Sequence, residues 1–451
     1  MMRKISFMVL FIMTLANSVF AQGNNSDFNE NWPQFRGPAS NQLPGNYNLP
    51  VEWNTNKNIL WKHEIPGSGW SSPIIWEDKI FISTAVSDNP SVEQRNLTSK
   101  ESPDEDENRI SAVYSYELHC LDLNSGRLLW KSVAHKGLPS TPTNRDNTYA
   151  SETPVSDGKH IYVYYGMTGL YCFDFEGNLV WEKNLGAYKM RSNWGTSTSP
   201  LLYNNILYMQ IDNDENSFLA ALDADTGEEH WRIPRDKVSS WSTPIIWKNK
   251  IRTELVTIAG PMRSYDPETG KVLWELEMGG GRSSCSPVSN DEFLYAGNED
   301  WQGGNILFAV KAGASGDITP REGESSSDGV AWSQPDAGLT MPSPLLYKGN
   351  IYLVNRRNGF VSCYDAVTGK PHYQRTRTPE AKAFWATPWA YEDKLFSTDE
   401  AGTTYVFQTG NEYKLLYENP LEDKIMASAA FSEGTIILRG VKYVYCIRNQ
   451  I

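Results

Sequence analysis

The chain has 451 residues, and its 41 Lys+Arg against 54 Asp+Glu give a formal charge of -13, a sign that excludes nucleic acid or an anionic membrane as its main partner. Its 16 Trp, 23 Tyr and 34 Gly, with only 21% charged residues, exclude a disordered chain and describe a β-rich, turn-rich globular protein.

Residues 1–21 read as a signal peptide. Arg3 and Lys4 precede an apolar run from Ile5 to Leu15, and Val19-Phe20-Ala21 supplies the small residues needed for cleavage before Gln22. An exported chain, periplasmic or extracellular, is therefore expected. No Cys follows that site and no later segment is apolar over a bilayer's thickness, so the expectation is a soluble monomer, neither a lipoprotein nor a membrane-spanning protein. Residues 22–57 read as an N-terminal linker and extended segment, polar from Gly23 to Glu30.

From residue 58 to 451 the chain repeats. One recurring signal is a pair of small residues ending in proline, as in Ser71-Ser72-Pro73, Glu152-Thr153-Pro154, Ser242-Thr243-Pro244 and Ala386-Thr387-Pro388, with a degenerate Ala427-Ser428-Ala429 last. The other is an Asp, a polar turn, a Gly and an aromatic four residues after it: Asp122, Gly126 and Trp130, then Asp174, Gly177 and Trp181, with further copies ending at Trp231, Trp274 and Tyr373. Between them lie strand-like runs such as Lys79-Ile80-Phe81-Ile82 and Asn350-Ile351-Tyr352-Leu353. Each repeat is then a four-stranded meander whose Gly takes positive φ at a tight turn and whose aromatic packs between neighbouring units.

Proline suits only an edge strand, which places the first signal on the wall of a central channel. Asn58 to Lys62 resembles a last strand alone, and Thr435–Leu438 with Tyr443–Cys446 lack one, so the two ends complete a single unit. The fold class is all-β, an eight-bladed β-propeller closed by its termini, with seven blades as the alternative count.

Repeats of the form Asp-x-x-Thr-Gly-x-x-x-Trp, as in Asp266 to Trp274, resemble the tryptophan-docking repeats of the pyrroloquinoline quinone (PQQ)-like propeller superfamily. That superfamily includes quinoprotein dehydrogenases and the non-enzymatic assembly factor BamB. Trp32 to Pro38, Tyr149 to Pro154 and Gly316 to Thr319 resemble an exported subgroup of it. The resemblance implies fold more than function.

For the dehydrogenases it implies PQQ held with calcium by carboxylates and amides, an Asp base and a disulfide between adjacent cysteines. No two cysteines are adjacent here. Cys120, Cys172, Cys363 and Cys446 share one repeat position, two residues before the turn Asp or its equivalent, where Ala221 and Ser264 stand elsewhere, so they read as buried free thiols. Two acidic stretches, Asp104 to Glu107 and Asp212 to Glu215, offer calcium ligands in type but lack the spacing of a calcium loop, and read as solvated loops. No catalytic or metal residue is assigned.

The residue just before each small pair runs Trp70, Ser151, Ser197, Trp241, Ser284, Met341, Trp385 and Met426. On channel-lining strands these form one ring at the mouth, with Lys189, Arg191, Arg282 and Lys424 on nearby loops. Aromatic faces with cations suit a planar or anionic ligand such as a quinone, a sugar acid or a peptide carboxylate, while the competing reading has the three Trp plug the channel as packing. Glu152, the only acidic residue inside a first signal, is the position an atypical quinone or metal site would use. Insertions at 85–114 and 135–148 add loop surface where binding resides. The function these residues suggest is a non-enzymatic binding or assembly scaffold for a protein, peptide or small anionic ligand, with a PQQ-dependent oxidoreductase as the alternative.

Overall fold

The computed structural model describes residues 25–45, 48–89, 109–279, 283–298, 305–337 and 339–450. The signal-peptide residues, Asp104 to Glu107 and Arg282 lie outside them. Eight antiparallel sheets follow one another around a ring. Blades 1 to 7 span residues 74–137, 155–183, 201–234, 245–276, 288–334, 345–377 and 389–420. Blade 8 takes three strands from residues 430–448 and its outer strand, Ile59–Glu64, from the start of the chain. That strand runs antiparallel to Tyr443–Arg448, with Trp61 opposite Cys446 and Glu64 opposite Tyr443.

Burial follows strand position. The two middle strands of a blade are covered on both faces by neighbouring blades, so His160–Tyr165 and Thr435–Arg439 are buried throughout. Outer strands alternate, as in Ile59–Glu64, because one face meets solvent. The core therefore lies between blades, for example Phe81, Tyr116, Ile161, Val163 and Tyr165 between blades 1 and 2. All five cysteines are buried and none forms a disulfide, and burial pushes the Cys120, Cys363 and Cys446 thiols up to about 12.

The turn signal works as a dock. Trp130 of blade 1 lies over Gly177 of blade 2, and its Nε1 donates to the Phe175 carbonyl at 2.9 Å. Trp61 does the same over Gly126 toward Leu123 O, Trp181 over Gly227 toward Ala224 O, and Trp332 over Gly369 toward Ala366 O. A Cβ on Gly126 would stand 2.5 Å from the Trp61 ring, and its φ is +68°, so both space and backbone demand glycine. Trp274, in the most regular repeat of the sequence, does not dock. Blade 5 has a long insertion where the receiving turn would be, so the indole turns inward and donates to Oε2 of buried Glu254 at 2.7 Å. The insertion instead adds a fifth strand, Gly316–Asp317, parallel to the outer strand of blade 4.

The N-terminal segment is more than a linker. A short helix, Asn25–Glu30, precedes it with Asp27 in its first turn, where a carboxylate suits the free amides. Residues 32–42 then cross one end of the channel. Trp32 forms a two-bond bridge with Ile75 of blade 1, and Pro33 O accepts from Ser156 of blade 2. Arg36 donates to Ser286 O and Pro287 O at the entrance to blade 5. Asn41 exchanges hydrogen bonds with Leu346 of blade 6, and Gln42 donates to Ala429 O beside blade 8. Burial, with no carboxylate partner among the described residues, holds the Arg36 guanidinium down at about 9. The channel thus has a floor made of its own chain.

Candidate functional site

Each small-pair signal leads into the inner strand, which begins directly after the proline, as Ile74–Trp76 and Trp389–Tyr391 do. Before the strand starts, alternate side chains face the channel and form two tiers. The upper tier is the ring expected from sequence, Trp70 through Met426, and all eight of its members line one cavity of about 860 Å³. The lower tier lies two residues further on in each repeat. Ser72, Thr153, Ser199 and Thr243 come from blades 1 to 4, and Ser286, Ser343, Thr387 and Ser428 from blades 5 to 8, every one a hydroxyl and every one lining the same cavity.

The lower tier is a latch. Ser72 N–H donates to Thr153 Oγ1 at 3.0 Å, Thr153 N–H to Ser199 Oγ at 2.9 Å, and Ser199 N–H to Thr243 Oγ1 at 3.1 Å. Thr243 N–H donates to Ser286 Oγ, Ser286 N–H to Ser343 Oγ, and Thr387 N–H to Ser428 Oγ in the same manner. Each hydroxyl oxygen so used keeps its proton and one lone pair. Sequence reading took these positions as merely small. The signal that would have found them is hydroxyl chemistry at all eight copies.

Phe35 of the N-terminal segment and Trp194 line the cavity beside Trp70, Trp241 and Trp385; these last three are half-buried and line the wall without filling it, so they do not plug the channel. Their N–H groups are engaged: Trp70 with Asp146 O at 3.2 Å, Trp241 with Gly195 O at 2.6 Å, and Trp385 with Glu400 Oε2 at 2.9 Å. Gly195 makes this possible, since its φ is +74° and a Cβ there would stand 2.2 Å from Thr143 Oγ1. What the indoles offer a ligand is their π-surface.

The charges at the site differ in part from expectation. Arg191 lines the cavity, its backbone N–H held by Ser239 Oγ, which in turn donates to Asp214 at 2.7 Å. Lys424 stands off the wall, its Nζ 5.9 Å from the Trp70 ring centroid. Lys189 is exposed and outside the lining, with its N–H on Glu215 Oε2. Arg356 was missed because it sits in a turn with no repeat register; its guanidinium carbon lies 4.6 Å from the Trp385 ring centroid, and its Nη1 is 3.0 Å from Met341 Sδ. Among the described residues neither Arg191 nor Arg356 forms an ion pair. Of the two insertions, the described part brings Asp146 and Asn147 to the wall, and Arg109 fixes that loop by donating to Asn144 O and Asn147 O, both at 2.9 Å.

Glu152 requires correction as a ligand-binding residue. It lies between Ser151 and Thr153, so strand alternation turns it away from the channel, where it is buried and accepts from Gly166 N–H at 3.3 Å. Burial raises its carboxyl to about 7. The acidic stretch Asp212 to Glu215 is solvated only in part: Asp214 and Glu215 are exposed, whereas Asp212 is buried and accepts from Arg235 Nε and Nη2 at 2.8 and 3.0 Å. The cavity wall supplies one carboxylate, Asp146, and among the described residues no group of three or more His, Cys, Asp or Glu is placed to hold a metal ion. Among the described residues, a cavity lining with one carboxylate does not supply the carboxylate set that a calcium-held quinone would need.

Comparison with solved structures places the fold. The BamB structure from Moraxella catarrhalis aligns with a TM-score of 0.57 at 10% identity, covering 86% of this chain and 99% of that one. A quinohemoprotein alcohol dehydrogenase from Comamonas testosteroni aligns with a TM-score of 0.62 at 11% identity, covering 95% and 82%. At such identities the likeness speaks for the propeller alone. No curated protein matches the sequence. No helix among the described residues is long and apolar enough to cross a membrane. The family model described as outer membrane protein assembly factor BamB matches residues 114–375, more than half of the chain, and the chain belongs to that family of PQQ-like propellers.

Proposed function

We propose that this is an exported, non-enzymatic binding protein that holds a small anionic ligand in the floored channel. The observation that carries the reading is the cavity itself: about 860 Å³, the size class of small-molecule sites, lined by four tryptophans, Trp70, Trp194, Trp241 and Trp385, and by Arg191 and Arg356 with one carboxylate, Asp146. Export rests on the signal-peptide pattern of residues 1–21. The latch hydroxyls and the buried Glu152 contribute no nucleophile poised beside a base, which favours binding over turnover.

Calorimetric titration of the mature protein with aliphatic, aromatic and sugar-derived carboxylates, and with PQQ plus calcium, tests this. Saturable binding of a carboxylate, lost in Trp241→Ala and weakened at least tenfold in Arg356→Gln, is the expected result. Tight, calcium-dependent binding of PQQ alone would replace this reading with the oxidoreductase one, and no binding across the panel would overturn the ligand site. Family membership supports a second, compatible use, the blade rims as a surface for a protein partner, which cross-linking in intact cells would reveal as a discrete adduct.

A further inference from the structure

We infer that the ligand is an acidic saccharide, a uronic acid or a short chain of them; this rests on the anion-binding reading above and names its chemistry. Three features of the cavity converge on it. The first is the tier of eight Ser and Thr hydroxyls. A hydroxyl that already accepts one backbone N–H, as Thr153, Ser199 and Thr243 do, presents a remaining donor and a remaining acceptor from a fixed position. A sugar, whose own hydroxyls both give and take, satisfies such groups; a quinone or a fatty acid leaves them unpaired, and unpaired polar groups are what make a site reject the analogue lacking them.

The second feature is the state of three of the four indoles. With their N–H groups spent on Asp146 O, Gly195 O and Glu400, Trp70, Trp241 and Trp385 offer only faces, and the apolar C–H face of a pyranose stacks on such a surface. The third is charge placement. Arg191 belongs to the connection into blade 3 and Arg356 to blade 6, three blades on in a ring of eight, so the two cations approach the cavity from well-separated parts of its wall. Carboxylates spaced along a short saccharide meet both, and a compact monoanion meets one.

The test uses tryptophan fluorescence and calorimetry on the mature chain with a uronate disaccharide, the neutral disaccharide of the same ring, and phthalate. The uronate disaccharide is expected to bind, with the neutral sugar and phthalate each at least tenfold weaker. Thr387→Val removes one hydroxyl whose oxygen accepts no backbone N–H among the described residues and keeps the Thr387 N–H on Ser428 Oγ, so the latch persists while uronate affinity falls several-fold and phthalate affinity is unchanged. Phthalate binding as tightly as the uronate, or a Thr387→Val variant with full uronate affinity, would sink the saccharide reading and leave the anion site standing. Equal binding of the neutral sugar would remove the acid from it. Failure of every anion would remove both.

Discussion

Glu152 is the residue whose chemistry departs furthest from its surroundings. Its carboxyl is buried and raised to about 7, chiefly by desolvation. Between its ordinary value of 4.5 and about 7 the folded chain holds a proton that the unfolded chain has released, so its contribution is largest on the acid side and is lost as pH rises through this window. A displacement of this size corresponds to about 3 kcal/mol. Denaturant unfolding at pH 5 and pH 8 should therefore show a steeper loss for the native chain than for Glu152→Gln, which keeps the shape and carries no charge; parallel losses would remove Glu152 as the cause. Asp399 and Asp423, also raised by burial, are present in both chains and cancel in the comparison. The sequence made Glu152 conspicuous as an acid among small residues, but its direction depends on alternation with Ser151 and Thr153, which places those two on the channel wall and Glu152 behind it. Arg356 carried no such signal, since it stands between strands and outside the repeat.

Two devices join one blade to the next, and they were not equally legible. The outer device, a Trp over the following blade's Gly, was readable because both partners recur at fixed spacing. Trp274 looked like the model copy and is the exception, because docking depends on a turn in the next blade that the insertion after Lys311 replaces. Trp130→Ala, which empties a dock and frees Phe175 O, is expected to cost about 3 kcal/mol. Tyr417→Ala, on the exposed outer strand of blade 7, should stay within about 0.5 kcal/mol. The inner device, a hydroxyl accepting the preceding blade's N–H, hid behind the word small. Thr153→Val leaves the buried Ser72 N–H without its partner and should cost about 1–3 kcal/mol. Thr387→Val should cost clearly less by the same chemical-denaturation assay, and equal costs would deny the latch.

At the scale of the whole ring, blade number and closure followed from counting strands at the two termini, because a blade lacking a strand at one end must find it at the other. The floor was not legible. Trp32 to Gln42 has no periodicity, and its partners stand as far as 387 residues away in sequence, which no local pattern encodes. Removal of residues 59–64 would strip the outer strand from Tyr443–Arg448 and leave an open edge; size-exclusion chromatography is expected to show aggregates in place of a discrete species.

The pairing of Ile59–Glu64 with Tyr443–Arg448 also sets a clock. A chain made from its N-terminus produces Ile59–Glu64 long before Tyr443–Arg448, so blade 8 cannot form until that later strand has been made. The floor waits as well, because Arg36 and Gln42 are held beside blades 5 and 8. Long-range pairing of this kind is slow to form. In the interval Ile59–Glu64 and Gln42 are without their partners, and an edge that the finished ring hides stays open until Tyr443–Arg448 arrives.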